Sequence, residues 1–287
     1  MATCSTLTKS NRVLDGAEAA RDAARLRVND KICGLLTENP KVKKGRAKGY
    51  VTSILHLSPA KLSGYQVCPM ATEGCRNACL NASGQGRIIK RGSKTNAVQT
   101  KRVLRTLWYM ERREEFMAQL VHEVELAIRR AKRNGLTPVF RLNGTSDLRF
   151  ETVAVTRNGE RYPSIFEAFS DVQFYDYTKL ANRRVAHIPN YHLTFSVADG
   201  NEASAIAAAK QGTALAVVFR TKDVIPETYE VGGMVIPVVN GDEDDLRFLD
   251  GDNVVVALYA KGYGRYDTSG FVKDTAKLTL PVLTVAA

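Results

Sequence analysis

The chain of 287 residues lacks any apolar run that approaches the roughly 18 to 20 residues needed to span a bilayer. Its N-terminus, "MATCSTLTKSNRVLDG", also lacks the apolar stretch of a secretory signal peptide. Pro-rich or Gly-rich linkers and low-complexity blocks are absent as well, so we expect an ordered chain nearly throughout. These absences predict a cytoplasmic protein with no membrane partner.

Cysteine is scarce, and its distribution is uneven. Five cysteines, an odd number, are a poor basis for a disulfide framework, and cytoplasmic thiols are kept reduced. Three of them, Cys68, Cys75 and Cys79, lie within the stretch "VCPMATEGCRNACL", whereas Cys4 and Cys33 stand apart. A cluster of this kind predicts a metal or redox site.

The ligand chemistry leaves two metals open. Three thiolates bind either zinc or iron–sulfur iron, and zinc would take a fourth protein ligand, for which His56 is the nearest candidate. An iron–sulfur cluster would leave one iron open to substrate. The cysteine spacing is unlike the C-x2-C pair of a zinc ribbon, and Gly74, Asn77 and Gly84 favour a tight turn in which backbone N–H groups approach sulfur. We therefore favour iron–sulfur over zinc, with three buried structural thiols as the remaining alternative.

Short apolar runs followed by polar clusters indicate the fold. One run, "GYVTSILHLSP", precedes the cysteines, and six follow: "PVFRL", "VQFYDY", "YHLTFSV", "ALAVVF", "MVIPVV" and "NVVVALYA". Runs this uniformly apolar are typical of parallel strands covered on both faces, and an amphipathic helix or helical hairpin is predicted from Val98 to Lys132. We predict a complete or partial β/α (TIM-like) barrel over residues 48–287, preceded by a helical and basic N-terminal appendage over residues 1–47.

Polar residues at the predicted strand ends are the candidate ligand-binding set, because parallel α/β folds bind ligands at the carboxyl ends of their strands. Two matched loops, "NGTSDLRF" and "NGDEDDLRF", each offer a carboxylate and an arginine, although helix capping is an alternative role. Asp147, Asp176 and Lys179 are the candidate catalytic residues, and the tyrosines beside Asp176 suit the stacking of a base. The candidate cofactor-binding residues are Asn143, Ser146, Arg149, Ser196, Asp242, Asp245 and Lys261.

Basic residues outnumber acidic ones, for a formal net charge of +11, and they crowd the segments on either side of the cysteines. This pattern favours a nucleotide or nucleic-acid partner, and a solvated basic face is the alternative. The candidate contacts are Lys43, Lys44, Arg46, Arg87, Lys90 and Arg91.

Several longer motifs resemble a known family. The stretches "LSPAKLSGYQVCPMATEGCRNACLNASGQG", "FRLNGTSDLRFE", "DVQFYDYTK" and "NGDEDDLRFLD" are similar to the phage and plasmid proteins of the gene product 88 family, over about residues 48–273. The segment "CPMATEGCRNAC" is also similar to the three-cysteine loop of the phage family of gene products 37 and 68, which resembles radical S-adenosylmethionine enzymes.

The radical-enzyme resemblance implies a [4Fe–4S] cluster on Cys68, Cys75 and Cys79, with S-adenosylmethionine bound at the fourth iron. The cysteine spacing departs from that of those enzymes, and the Gly-Gly-Glu run that they carry after the second strand is missing, with "NGTSD" at that place. Asn143 and Ser146 would be its polar substitutes.

Three hypotheses follow. The first is a radical-type metalloenzyme that acts on a nucleotide or nucleic acid. The second is a zinc-containing barrel enzyme that modifies or exchanges a nucleobase with Asp147 or Asp176 as nucleophile or general base. The third is a non-enzymatic phage accessory protein that binds DNA or a host factor.

Overall fold

The structure is a computed structural model, and it describes residues 21, 24, 34–88, 96–221, 225–275 and 277–278. Most of the predicted N-terminal helix lies outside these residues, as do Cys4, Cys33, Lys90 and Arg91. The described Ala24 packs against Val103, Leu104 and Leu107.

The described chain is a mixed α/β fold. Its strands are β1 (Leu36–Thr37), β2 (Tyr50–Leu55), β3 (Thr137–Arg141), β4 (Val155–Arg157), β5 (Glu160–Tyr162), β6 (Gln173–Thr178), β7 (Tyr191–Ser196), β8 (Leu215–Phe219), β9 (Thr228–Val231), β10 (Met234–Asn240), β11 (Val255–Tyr259), β12 (Val272–Lys273) and β13 (Lys277–Leu278). Its α-helices are α1 (Glu73–Asn77), α2 (Ala97–Glu111), α3 (Arg113–Arg133), α4 (Ile165–Ala168) and α5 (Glu202–Lys210). Short 3₁₀ turns cover Val42–Lys48, Leu80–Ala82, Gly84–Arg87, Phe150–Thr152, Arg247–Leu249 and Gly262–Tyr266.

One large, mostly parallel sheet organises the chain. Its strand order is β1-β2-β3-β6-β7-β8-β11-β10-β9-β13, and β12 pairs with β8 beside this path. The seven strands predicted from the apolar runs all form, and they pair with one another in parallel. Within the described residues the path begins at β1 and ends at β13, so the sheet is open and a complete barrel is not confirmed.

Alternation along the strands gives the sheet two different faces. On the outer face, Phe140 of β3 and Phe174 of β6 pack with Phe116 and Leu120 of α3 in the largest core. A second core forms where β7, β8 and β11 meet α5. The predicted long helix is confirmed as two helices that meet at Arg112, and its apolar stripe faces the first core as expected.

The inner face is covered by polar and charged chain rather than by a helix. The 3₁₀ turn Val42–Lys48 and residues 241–250 lie against it, and Leu246 packs with Val139 and Tyr175. Asp245 forms ion pairs with Lys41 (3.0 Å) and with Arg141, and Asp244 pairs with Lys48 at 2.6 Å. Burial acts to raise the pKa of Asp245, but Arg141 and Lys41 hold it below its usual value. The inner face therefore carries a compensated charge network.

The N-terminal segment joins the sheet before residue 48. Glu123 of α3 accepts N–H groups of Gly34, Leu35 and Leu36 at 2.9 to 3.1 Å, and β1 then pairs antiparallel with β2. The domain division between residues 47 and 48 stays a prediction. None of the described helices is long and apolar enough to cross a membrane.

Candidate functional site

The loop that carries the three cysteines begins after β2 and is fastened first to the end of β3. The Asp147 N–H donates to Val67 O at 2.8 Å, and the Thr145 hydroxyl donates to Leu57 O at 2.6 Å. The Cys68 thiol lies 3.7 Å from Thr145 O, to which it donates. The first cysteine is therefore held against the loop that follows β3.

The second attachment lies beyond β7. Asp199 accepts a hydrogen bond from the Thr72 hydroxyl and another from the Gly74 N–H, the latter at 3.1 Å. A methyl group at Gly74 would collide with Ser269 Oγ and lie 2.6 Å from Asp199 Oδ1 and 2.8 Å from Phe271 Cβ. The short helix α1, which carries Cys75, thus reaches across the carboxyl ends of the strands from β3 to β7.

The three thiols are half-buried and free of disulfides. The Ala60 N–H donates to Cys68 Sγ at 3.3 Å. Burial raises the pKa of Cys68 to about 12 despite this donor, and the neighbouring Cys79 and Cys75 add to the rise. The sulfurs are therefore close enough to affect one another electrostatically, and without a metal Cys68 is a thiol at neutral pH.

Cys79 has two cations in its neighbourhood. Burial raises the pKa of its thiol, whereas a hydrogen bond from the Asn81 backbone and the charges of Arg102 and Lys179 act to lower it. Arg102 Nη1 donates to Asn81 Oδ1 at 2.6 Å, so this arginine also holds the chain that follows Cys79. Positive charge beside a cysteine stabilises the thiolate that binds metals.

The donor set fits a metal in its chemistry, but the ligands are not gathered into a finished site. Among the described residues, no group of three or more His, Cys, Asp or Glu side chains has the arrangement of a metal site. His56, the zinc ligand considered from the sequence, has Nδ1 3.3 Å from Thr37 Oγ1. Burial and the charges of Arg102, Arg141 and Arg105 lower the pKa of His56 to about 3. Its imidazole is neutral, with arginines as its main electrostatic neighbours.

The profile of the family described as gene product 88 matches residues 31–275. The chain belongs to the gene product 88 family. No curated protein and no solved structure matches it. The family match supports a phage protein.

In this family member, Asp147 is engaged by protein donors at both oxygens. Its Oδ1 accepts from the Thr178 hydroxyl at 2.8 Å and from Arg183 at 3.1 Å, and its Oδ2 accepts from the Lys179 backbone N–H at 2.8 Å. Its side chain is nearly buried. These contacts give Asp147 a structural role. Its role as a nucleophile or general base stays a prediction.

Asp176 is fully buried on the outer side of β6. It accepts from the Asn143 N–H at 2.8 Å and from the Tyr191 hydroxyl at 3.1 Å. Burial raises the pKa of Asp176 to about 6, against the opposing effects of Arg141 and the Asn143 N–H. Asn143 also accepts from Ser146 at 2.9 Å and from the Leu148 N–H at 2.8 Å, so it closes its own turn.

The other candidate ligand residues divide between the site and the rest of the surface. Lys179 Nζ donates to Ser196 Oγ at 2.9 Å, close to Cys79. Lys261 and Asp242 form an ion pair of 2.7 Å beyond the ends of β11 and β10. Asp245 lies in the inner-face network described above. The arginines of the two matched loops differ in their exposure. Arg149 is exposed, whereas Arg247 is fully buried.

The described basic residues around the cysteines are partly compensated. Lys44 Nζ donates to Asp242 O at 2.8 Å, and Arg46 pairs with Glu38 at 2.8 Å. Lys43 is exposed, and Arg87 stacks over Tyr263 at 5.5 Å. Lys44 and Arg87 are connected through other residues. Lys44 contacts Asp242, and Asp242 pairs with Lys261. Lys261 directly precedes the 3₁₀ turn that contains Tyr263, over which Arg87 lies.

Sequence reasoning missed two residues that shape the site. Asp199 follows β7 and accepts hydrogen bonds from the cysteine loop, a role that no motif in the sequence indicates. Arg102 was hidden because it lies within a long helical pattern, where an arginine is most simply a solvated residue. An Asp just after a strand and a Gly one residue before Cys75 were the available signals.

We expect Gly74→Ala to loosen the cysteine loop. The added methyl has no room beside Asp199, Ser269 and Phe271, so the free energy of unfolding should fall by about 1 to 3 kcal/mol. Alkylation of Cys75 should become faster. Gly264→Ala is the control, because its methyl would meet Ala78 Cβ at an ordinary 3.5 Å. Equal unfolding curves in urea for the two variants would contradict the packing described for α1.

We expect the stability conferred by Asp176 to depend on pH. A folded-state pKa of about 6, above the ordinary aspartate value of 3.8, contributes stability below pH 3.8 that is lost as the pH rises through 6. The unfolding free energy of the wild type relative to Asp176→Asn should therefore fall by up to about 3 kcal/mol between pH 4 and pH 7. Urea unfolding across this range measures it, with the exposed Asp171→Asn as control. If the unfolding free energy of the wild type relative to Asp176→Asn rose with pH, the raised pKa of Asp176 would be contradicted.

Proposed function

We propose that the chain is a phage metalloprotein of the cytoplasm in which Cys68, Cys75 and Cys79 hold an iron–sulfur cluster. The observation that carries the proposal is that backbone N–H groups donate hydrogen bonds to two of the three sulfurs. Cys68 Sγ accepts the Ala60 N–H, and the Asn81 backbone donates to Cys79. Donors of this kind stabilise and tune cluster thiolates.

Charge supports the same proposal. A cluster bound by three thiolates carries net negative charge, and Arg102 and Lys179 both lie in the electrostatic neighbourhood of Cys79. Within the described ranges the contacts of Arg102 Nη1 are Asn81 Oδ1 and Asn81 O and no carboxylate lies within 4.0 Å, and burial lowers the pKa of Arg102 while Cys79 opposes that effect. An anionic cluster would compensate a half-buried cation that the described protein leaves without a counter-charge.

The topology supports a partial β/α barrel around this centre. β2, β3, β6, β7, β8 and β11 lie side by side in chain order and run parallel, which is the arrangement of successive barrel strands. The cysteine loop follows the first of them. The resemblance to radical enzymes implies that a [4Fe–4S] cluster here would bind S-adenosylmethionine at its open iron and supply it with an electron. The chain's own residues hold the loop, balance its charge and shield the sulfurs.

Zinc is the alternative metal, and it has less support. His56, the fourth ligand considered from the sequence, has Thr37 and arginines as its neighbours among the described residues. A non-enzymatic accessory protein is the remaining alternative, and a metal-free folded protein would favour it.

Metal analysis after anaerobic purification tests the proposal. We expect a brown protein that contains iron and acid-labile sulfide, and Cys75→Ser should lose most of both, since one missing thiolate removes charge and geometry together. Cys4→Ser and Cys33→Ser are the matched controls and should keep them. A colourless protein with stoichiometric zinc would establish the alternative metal. A metal-free folded protein, or an unchanged cluster in Cys75→Ser, would end the metal proposal.

We further propose a nucleotide or nucleic acid as the substrate. Support comes from Lys43 and Arg87, which are exposed on the segments that flank the cysteine loop, and from the stacking of Arg87 on Tyr263, a pair suited to a base or phosphate.

A salt titration of fluorescent single-stranded and double-stranded oligonucleotides tests this substrate class. Binding should weaken steeply with salt, because each neutralised phosphate releases a counterion. Lys43→Glu with Arg87→Glu should weaken it further, whereas Arg129→Glu with Lys132→Glu, exposed on the last turns of α3, should not. Absence of binding below about 10 μM at physiological salt would remove nucleic acid and leave a nucleotide or another small molecule.

A further inference from the structure

Two neighbouring pairs of inner-face residues lie at the carboxyl ends of β6 and β7, and one of the four, Lys179, is an electrostatic neighbour of Cys79. Tyr177 and Thr194 are directly opposite each other in the parallel register. Because inner-face residues recur every second position, the next pair toward the carboxyl ends is Lys179 and Ser196. The 2.9 Å hydrogen bond from Lys179 Nζ to Ser196 Oγ confirms that these two meet.

The lower pair has unused hydrogen-bonding groups. The hydroxyls of Tyr177 and Thr194 are both buried, and neither has a hydrogen-bond partner among the residues that the structure describes. Thr194 is wholly inaccessible to solvent, with 0% exposure, so its hydroxyl cannot turn to bulk water. A buried hydroxyl without a partner costs about 1 to 3 kcal/mol, and such groups in native proteins are nearly always paired with something.

The upper pair has an unused charge. Within the described parts of the chain, no carboxylate lies within 4.0 Å of the Lys179 ammonium group, which contacts the Ser196 hydroxyl and lies 5.7 Å from the centre of the Phe271 ring. Asp147 accepts from the backbone of Lys179, and this bond fixes where the side chain begins. A half-buried cation that contacts a hydroxyl and a ring, with the Cys79 thiol in its electrostatic neighbourhood, is suited to receive an anion.

We propose that these four residues form a binding site for a small organic anion. Its carboxylate or phosphate would lie against Lys179 and Ser196, and its neutral hydroxyl or amide groups would pair with Tyr177 and Thr194. The Arg141 guanidinium carbon lies over the Tyr177 ring, 4.9 Å from the ring centre. The site adjoins Cys79, so the ligand would lie beside whatever the cysteines hold. The inference does not depend on the identity of that metal.

Two pairs of probes separate the parts of this proposal. Inorganic phosphate and acetate carry the anion alone, whereas glycerol phosphate and glycerate add neutral hydroxyls. Thermal unfolding of the full-length protein is followed as each is titrated, with sodium chloride at equal ionic strength as reference. We expect the phosphates, the carboxylates or both to stabilise the wild type beyond chloride, and the hydroxylated member of a stabilising pair to bind more tightly.

Lys179→Met removes the ammonium group and keeps the stem, and it should weaken every stabilising anion about tenfold or more. Thr194→Val keeps the shape and removes the hydroxyl, so it should weaken only the hydroxylated members. Lys273→Met is the control, since Lys273 is also half-buried but lies 3.7 Å from Glu202. Iron, sulfide and zinc are measured in each variant, so that loss of metal and loss of anion binding are told apart.

No stabilisation beyond chloride in the wild type, or an equal response in Lys179→Met, would overturn the site. If Thr194→Val weakened both members of a pair by the same factor, or weakened neither, the part of the proposal assigned to the hydroxyls would be overturned.

Discussion

The hydrogen bonds of Asp147, made by its backbone N–H and by its carboxylate, are the interaction on which the arrangement of this end of the molecule depends. Four groups from three parts of the chain converge on this residue. Val67, at the root of the cysteine loop, accepts its N–H, and its oxygens accept from Thr178, the Lys179 backbone and Arg183. Arg183 is itself only 1% exposed and also pairs with Glu151. A buried carboxylate with this many donors is expensive to disturb, because any lost partner leaves a buried polar group behind.

The same contact explains how two distant segments come to share one site. Asp147 sets the position of Lys179 through the backbone and the position of Cys68 through Val67. Asp199 performs the corresponding service on the other side, by holding α1 and with it Cys75. The loop has little apolar core of its own, and Met70 and Leu80 are about half exposed. Hydrogen bonds to strand ends therefore determine its path, in place of the packing that determines the helices.

The sequence was sufficient to predict the parts of the fold that depend on periodicity. All seven parallel strands were visible as apolar runs, because a strand covered on both faces has no polar alternation to obscure it. The apolar stripe of α3 was visible for the corresponding reason. The position of β10 outside β11 was not, because sequential order does not reveal which edge of a sheet a strand joins. The position of the break between α2 and α3 at Arg112 was not predictable either, because no proline or glycine marks it.

Site residues were harder to predict than strands, since a carboxylate at a strand end looks the same whether it binds a ligand or a neighbour. Asp147, Asp176 and Asp245 all lie close to the predicted edge, yet each is engaged by protein donors. The cysteine loop was placed correctly at the carboxyl ends. The excess of basic residues was interpreted as a surface property, but Lys41, Lys48 and Arg141 are engaged in the network of the inner face.

The pairing of β12 with β8 determines how the strands are arranged beside the cysteine loop. β11 occupies one edge of β8 along its whole length, so β12, which pairs with Val218 and Phe219, must lie on the other edge, where β7 pairs only with Leu215 and Ala216. β12 therefore takes the position beside β8 that β7 leaves after Ser196. Neighbouring strands lie about 4.8 Å apart, so the chain that follows β7 must turn out of the sheet at this point. That turn carries Asp199, which accepts hydrogen bonds from Thr72 and Gly74 of the cysteine loop.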